Sequence, residues 1–419
     1  MTSTSRQAGR ATRLLAAAGA ALLAAALLAA PAGAAPPRQL ATDTGLGADP
    51  LEAVANAYLA THPDLSPVAA LAAATAQANS EKLKLALADR LSTFGGGWFD
   101  PYTSAFHIAV TTPAAAGDAA ALGRDLGLKV KTHQVARSLD QLKEQAEKLR
   151  GGGDALGRAA AGHVGIDVRT NEVVVALPPP QLSGFASAAV PAGVRLEANT
   201  GTRTQNDACT SREDCDNNLR AGLRLRRSGA LWCSAGFTAR GSTGIRWQLT
   251  AGHCVGTIGE TWSNGTTTQR NIGPLTDSID SGVVDASAIQ VTNAFYSADT
   301  VGRIATGASS FAPVTGETFL LVNDVVCLSA STTDPTRSGN PCGTVTSLSD
   351  SARRGQVRVE GYDACGGDSG GGWYWLPGSG NRWAVGLHSG SLTGCNVTPG
   401  VSWLSPLDSF WTALTYETG

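Results

Sequence analysis

No cysteine occurs before position 209, although the chain of 419 residues carries eight. An even set confined to the second half implies a disulfide framework formed in an oxidising compartment, and leaves the first half without covalent cross-links. No pair of these cysteines has the C-x₂-C spacing, and the single histidine beside a cysteine, His253, is claimed by other chemistry below, so a zinc site is not indicated. Charge of one sign is missing too. The 34 acidic and 32 basic side chains nearly cancel, which gives no reason to invoke nucleic acid, and 42% hydrophobic content argues against disorder. Histidine is scarce: of six, only His253 and His388 lie beyond residue 163. After the first 35 residues no run is long and apolar enough to span a bilayer.

What is present is concentrated between Tyr362 and Trp373, Tyr-Asp-Ala-Cys-Gly-Gly-Asp-Ser-Gly-Gly-Gly-Trp. Glycines on both sides of Ser369 let the backbone fold tightly enough for the N–H groups of Gly367 and Ser369 to point at one spot, where an oxyanion would form. A serine hydroxyl also needs a base to take its proton. The pentapeptide satisfies the G-x-S-x-G elbow of α/β-hydrolases, but that arrangement needs an acid and then a histidine after the serine. Only His388 follows Ser369, with no acid between them. The opposite order, histidine then acid then serine, leaves His253 as the base by elimination. It ends the apolar run Trp247-Gln-Leu-Thr-Ala-Gly-His-Cys254. For the acid, Asp285 in Val283-Val-Asp-Ala-Ser-Ala-Ile-Gln-Val291 fits best, because apolar neighbours would bury a carboxylate that must hold an imidazole in one tautomer. Asp277 and Asp280 are its rivals just upstream.

Leu249-Thr-Ala-Gly-His-Cys254 followed by Gly367-Asp-Ser-Gly-Gly371 resembles the trypsin/chymotrypsin superfamily of serine endopeptidases over roughly residues 205–419. The long N-terminal region makes the chain similar to the secreted bacterial branch, the α-lytic protease and streptogrisin group. The resemblance implies an all-β catalytic domain of two six-stranded antiparallel barrels, preceded by a small α/β pro-region. It implies His253 as general base, Asp285 as its orienting acid, Ser369 as nucleophile, and Gly367 with Ser369 as the oxyanion hole. It also suggests the disulfides Cys233–Cys254, Cys327–Cys342 and Cys365–Cys395; Cys209 and Cys215 are then paired by proximity.

The same resemblance frames the substrate pocket. An aspartate at the spacing of Asp363 lies at the pocket floor in trypsin-like members and selects arginine or lysine, since a buried carboxylate needs a matching cation. That is the expected preference. Gly386-Leu-His-Ser-Gly-Ser391 forms the pocket wall, where His388 is similar to glutamate-selective members and Ser391 stands nearby. Ser389 and Gly390 are expected along the substrate backbone. Asp368 lacks the arginine that anchors it in α-lytic relatives, because Leu328 follows Cys327; Arg337 or another cation is the expected replacement.

Residues 1–35 read as a secretory signal, with Arg6, Arg10 and Arg13, an apolar core from Leu14 to Ala30, and Ala32-Gly-Ala34 at the cleavage site. Residues 36–190 form the pro-region, 191–207 a linker carrying the maturation site, and 208–419 the protease domain. Leu51 to Leu91 reads as alanine-rich helices, Phe106–Val110 as a strand, Leu139–Leu149 as a charged helix, and Val164–Leu177 as two strand-like runs joined at Thr170-Asn171. The pro-region resembles those that assist folding and block the site. The histidines His62, His107, His133 and His163 receive no role. Later apolar runs, Thr318–Val326 among them, read as short strands, and Leu407 to Leu414 as a terminal helix. The expected product is a secreted, monomeric serine endopeptidase needing no cofactor or metal. Its partners are protein or peptide substrates and its own pro-region in cis or in trans, without nucleic acid or membrane after signal cleavage. The alternatives are glutamate selectivity, an esterase, or a catalytically silent homologue acting as a binding protein.

Overall fold

The computed structural model describes residues 50–88, 90, 92–152, 154–160, 163–182, 184–185, 190–199, 219–227, 232–241, 244–254, 256–264, 270–297, 302–306, 311–332, 340–362, 364–377, 382–392, 400–407 and 414–416. The expected signal over 1–35, Cys209, Cys215, Arg337, Asp363 and Cys395 lie outside the described residues.

Three helices come first: α1 (Pro50–Thr61), α2 (Pro67–Ala78) and α3 (Glu81–Ala88). The alanine-rich run supplies their propensity. Ser66 starts α2 by accepting from the Ala69 N–H, with Pro67 in the first turn, where its missing N–H is harmless. A three-stranded sheet follows, in which β1 (Phe94–Asp100) is antiparallel to β2 (Ala105–Val110) and β2 is parallel to β3 (Lys129–Gln134). The parallel pair is connected through α4 (Pro113–Asp125), as parallel strands require. The helix α5 (Leu139–Arg150) opens on a capping box of Ser138 and Gln141, and buries Leu139, Leu142, Ala146 and Leu149 along one face. A hairpin of β4 (Val164–Asp167) and β5 (Glu172–Leu177) turns at Asn171, whose φ is 57° and whose side chain bonds both backbone groups of Arg137. Val194–Ala198, inside the expected linker, forms β6, parallel to β5.

The C-terminal body is built from two rings of antiparallel strands, the layout expected from the sequence. In the first, β7 (Arg224–Arg227) pairs with β8 (Trp232–Ser234), and the chain runs on through Ala235–Phe237 into β9 (Thr238–Gly241), which pairs with β10 (Arg246–Thr250). The sheet continues from β10 to β13 (Val284–Gln290), then β12 (Arg270–Ser281), then β11 (Thr261–Asn264), and back to β7. The ring thus closes through the bent 232–241 segment. The second ring joins β16 (Val325–Ser329), β17 (Cys342–Asp350), β18 (Gln356–Glu360), β21 (Val401–Pro406), β20 (Arg382–Ser391) and β19 (Gly372–Trp375), each hydrogen-bonded to the next and β19 back to β16. Trp373, Trp375 and Trp403 are fully buried there. Disulfides Cys233–Cys254 and Cys327–Cys342 form as expected, and Cys365 is disulfide-bonded. Of the expected terminal helix, residues 408–413 lie outside the described residues, and Leu414–Tyr416 is a strand paired with β9.

Two seams bind the N-terminal region to this body. At one, Ile166 of β4 pairs with Ser349 of β17, so β4, β5 and β6 extend the second barrel's sheet. At the other, the stretch expected as a strand from Thr318 to Val326 is strand only from Val325. The preceding residues are shared: Thr318 bonds Ala384, and Asn323 and Asp324 bond Val345, within the body, while others are held by the N-terminal region. Val322 exchanges backbone hydrogen bonds with Gly97 and Phe99, and the Gln77 amide bonds both Val325 backbone groups. Asn323 at φ 70° turns the chain there. One apolar cluster, including Tyr58, Leu83, Phe99, Leu321 and Val325, spans both regions. Among the described residues no helix is long and apolar enough to cross a membrane.

Candidate active site

β10 ends in Thr250, and the chain turns through a single 3₁₀ turn, Gly252–Cys254, that carries His253. Gly252 is required here. A Cβ on it would lie 2.0 Å from the Ile279 carbonyl oxygen, backbone that cannot yield. Cys254 is tied to Cys233 on β8, which fixes the turn against the first barrel.

Asp285 stands on β13 and is fully buried. Its Oδ1 accepts the His253 backbone N–H at 2.9 Å, and its Oδ2 lies 2.8 Å from His253 Nδ1. The other ring nitrogen, Nε2, is 2.8 Å from Ser369 Oγ. His253, Asp285 and Ser369 are therefore brought into one hydrogen-bonded chain. The rivals are placed elsewhere: Asp280 pairs with Arg354, and Asp277 accepts from the Ser278 N–H. Ser389 Oγ donates to Asp285 Oδ2 as well, and the Asp285 N–H donates to Ser405 Oγ at 3.0 Å. Burial by itself pushes the Asp285 carboxyl upward. The His253 hydrogen bond and charge, the Ser389 hydroxyl and the His253 N–H outweigh it, and hold the group below its ordinary value.

The Ser369 loop is pinned on every side. Gly367 has φ 104°, a conformation that favours glycine, and the Asp368 N–H closes a turn onto the Cys365 carbonyl. The Gly367 carbonyl accepts from Ser234 Oγ at 2.7 Å and from Ser331 Oγ at 3.2 Å. The Ser234 N–H donates to the Ser369 carbonyl, and the Gly370 N–H to that of His388. Asp368 is fully buried, and its carboxylate accepts the backbone N–H groups of Thr332 and Cys365 at 3.0 and 2.8 Å. These are backbone donors among the described residues; Arg337, the cation expected there, lies outside them.

His388, Ser389, Gly390 and Ser391 lie on β20. The His388 ring is buried, and its Nδ1 accepts from the Trp373 indole N–H at 3.3 Å. Ser389 turns its hydroxyl to Asp285 and leaves its backbone on the strand; Ser391 is buried. Sequence reasoning missed Ser234, Ser331, Ser405 and Arg353. None carries a local signal, because each acts on a residue 36 or more positions away.

The described residues contain no group of three or more His, Cys, Asp or Glu placed to hold a metal ion. No family model matches the chain, and no curated protein matches it. Among solved structures, Nocardiopsis protease is 27% identical, covers 48% of this chain and all (100%) of its own, and has a TM-score of 0.38. Thermobifida fusca protease A is 28% identical with the same coverages and a TM-score of 0.38. Cellulomonas bogoriensis chymotrypsin is 27% identical, again with 48% and 100% coverage and a TM-score of 0.38. The chain is similar, over about half its length, to bacterial chymotrypsin-like serine proteases.

Proposed function

We propose that the chain is a secreted serine endopeptidase synthesised as a prepro-enzyme. The observation that carries this reading is the hydrogen-bonded chain from Asp285 through His253 to Ser369. His253 takes the Ser369 proton through Nε2 as Oγ attacks a peptide carbonyl carbon. Asp285 holds the imidazole with Nε2 facing the serine and stabilises the imidazolium that forms. The N–H groups of Gly367 and Ser369 bind the oxyanion, and the Gly367 conformation suits that role. His253 then gives its proton to the leaving amine, and the acyl group stays on Ser369. Water, deprotonated by the same imidazole, releases it.

Residues 36–190 act in this reading as a folding aid and inhibitor, removed after a cut in the 191–207 linker. The extension of the second barrel's sheet by β4–β6 supports a templating role, since a non-local all-β body is slow to assemble alone. Asp363 gives a preference for arginine or lysine on the acyl side. A second preference, for glutamate, is favoured by the place of His388 on the wall strand, its ring fixed by the Trp373 indole N–H donating to Nδ1.

The test is digestion of an unstructured protein by the processed form, every cut being read by mass spectrometry, with Ser369→Ala alongside. Cuts after Arg and Lys that vanish in the variant support the endopeptidase and the Asp363 role. Cuts after Glu move specificity to His388. Ester turnover without peptide cleavage makes the protein an esterase, and no reaction of any kind makes it a binding homologue.

A further inference from the structure

The hydroxyl of Ser389 reaches Asp285, but a hydroxyl carries one proton and can turn it in several directions. What aims it lies one step further back. Arg353 ends the 3₁₀ turn Ser351–Arg353 between β17 and β18, and its side chain runs inward rather than to solvent, only 5% of the residue being exposed. Its Nη2 donates to the Ser389 carbonyl oxygen at 2.8 Å and to Ser389 Oγ at 3.2 Å. A guanidinium has no acceptor, so it engages the oxygen only through a lone pair. The Ser389 proton is then left for Asp285 Oδ2. A second route reaches the same aspartate through its backbone. Arg353 Nε donates to Gln356 Oε1 at 3.1 Å, and Gln356 Nε2 donates to the Val283 carbonyl. Ser405 Oγ donates to that carbonyl while accepting the Asp285 N–H.

We propose that Arg353 is a positioning residue for the triad acid: its guanidinium fixes the Ser389 hydroxyl as a donor to Asp285 and so holds the carboxylate that orients His253. The inference rests on the serine-protease reading above. Arg353 is given no contact with substrate. The planar fork matters as much as the charge, because one nitrogen serves two Ser389 oxygens while another serves Gln356, a geometry that lysine cannot reproduce. Among the described residues the charged and titratable groups around this network include Arg353, Asp285 and His253, Asp350 at the start of the same turn, and the Arg354–Asp280 pair beside it.

The test uses enzyme processed from the full chain and measures the second-order rate at which a fluorophosphonate modifies Ser369, as a function of pH. This probe needs His253 and is indifferent to side-chain preference. Arg353→Met should react roughly 10- to 100-fold more slowly, the range for losing a hydrogen bond that serves a charged group. The acid limb of its profile should move to higher pH, since the imidazolium loses a nearby cation and Asp285 a competing donor. Arg353→Lys should fall between Met and wild type. In a Ser389→Ala background, Arg353→Met should cost clearly less than it does with Ser389 present, only the Gln356 route and the bond to the residue 389 carbonyl remaining, because neighbours acting in one network are not additive. An unchanged rate and profile in Arg353→Met overturns the proposal, as does an equal loss with and without Ser389. If Arg353→Met does not fold, wild-type behaviour of Arg353→Lys overturns it. Failure of the wild-type chain to react at all strikes the protease reading instead, and is distinguished by that control.

Discussion

Asp285 and Asp324 are both fully buried, and the protein treats them in opposite ways. Asp285 accepts three hydrogen bonds, two from His253 and one from Ser389, spread over both oxygens. Asp324, at the seam between the N-terminal region and the second barrel, takes the Lys84 ammonium and the Leu321 N–H, both on Oδ2, and its Oδ1 has no hydrogen-bond partner among the described residues. Burial pushes the Asp324 carboxyl up and the Lys84 ammonium down, and their attraction does not reverse either shift. For Asp285 the donors win over burial. The number and spread of donors, more than the presence of a counter-charge, decides whether a buried carboxylate is comfortable as an anion. The first site keeps its charge ready for chemistry. The second is a join whose charges are tolerable only while both partners are present.

The comparison breaks most sharply on activity. Asp285→Asn should keep the hydrogen-bonded shape but present the wrong tautomer, with a loss of about 10⁴-fold in turnover, the cost of that change in a serine triad. Asp324→Asn should leave turnover by the processed enzyme within about twofold, since it replaces one group at a seam remote from the reacting atoms. Peptide hydrolysis normalised by active-site titration checks both.

The next largest effect is on stability. In the full chain carrying Ser369→Ala, Lys84→Met should destabilise by about 3–5 kcal/mol, because it strands a buried carboxylate. Adding Asp324→Leu should recover most of that loss, as replacement of a whole buried pair by apolar groups often does. Urea unfolding of the single and double variants measures it. A double variant no better than the single one would show that the ion pair itself holds the seam.

A smaller test uses pH, and the two aspartates should give opposite slopes. Asp285 sits below its unfolded value, so the unfolded chain binds more protons through that window. Its contribution is complete above about pH 4 and is lost as pH falls through the depressed folded value. Asp324 sits above its unfolded value, so the folded chain binds more protons there. Its contribution is greatest below about pH 4 and declines as pH rises through the elevated folded value. Urea midpoints of the Ser369→Ala chain against pH should lose the rising segment in Asp285→Asn and the falling segment in Asp324→Asn. The smallest effect expected is that of Gln77→Ala, which removes the bonds to both Val325 backbone groups and should cost about 1–3 kcal/mol of full-chain stability.

The same contrast explains what was legible beforehand. The turn at Gly252 and the Gly367–Gly371 loop announce themselves because their backbone geometry demands particular residues at adjacent positions. Asp285 stood out from Asp277 and Asp280 through its apolar neighbours, and it alone of the three meets His253. The charged helix over Leu139–Leu149 and the turn at Thr170-Asn171 were equally local. The seam was not. Lys84 lies in a short charged helix, where a lysine reads as a solvated face, and its partner is 240 residues away. The run Thr318–Val326 has strand composition, yet its first part is no regular strand: Gly97, Phe99 and Lys84 of the N-terminal region share its backbone groups with Ala384 and Val345 of the body. Arg353 and Ser234 are invisible for the same reason: each is defined by an oxygen that only the folded chain brings near.

The most direct test of the account is the rate and site of fluorophosphonate labelling in the processed protein, compared among wild type, Asp285→Asn and Asp324→Asn. The account predicts a single adduct on Ser369, formed orders of magnitude more slowly in Asp285→Asn and at close to the wild-type rate in Asp324→Asn. An adduct on another residue, or labelling of Ser369 that ignores the loss of Asp285, would contradict it.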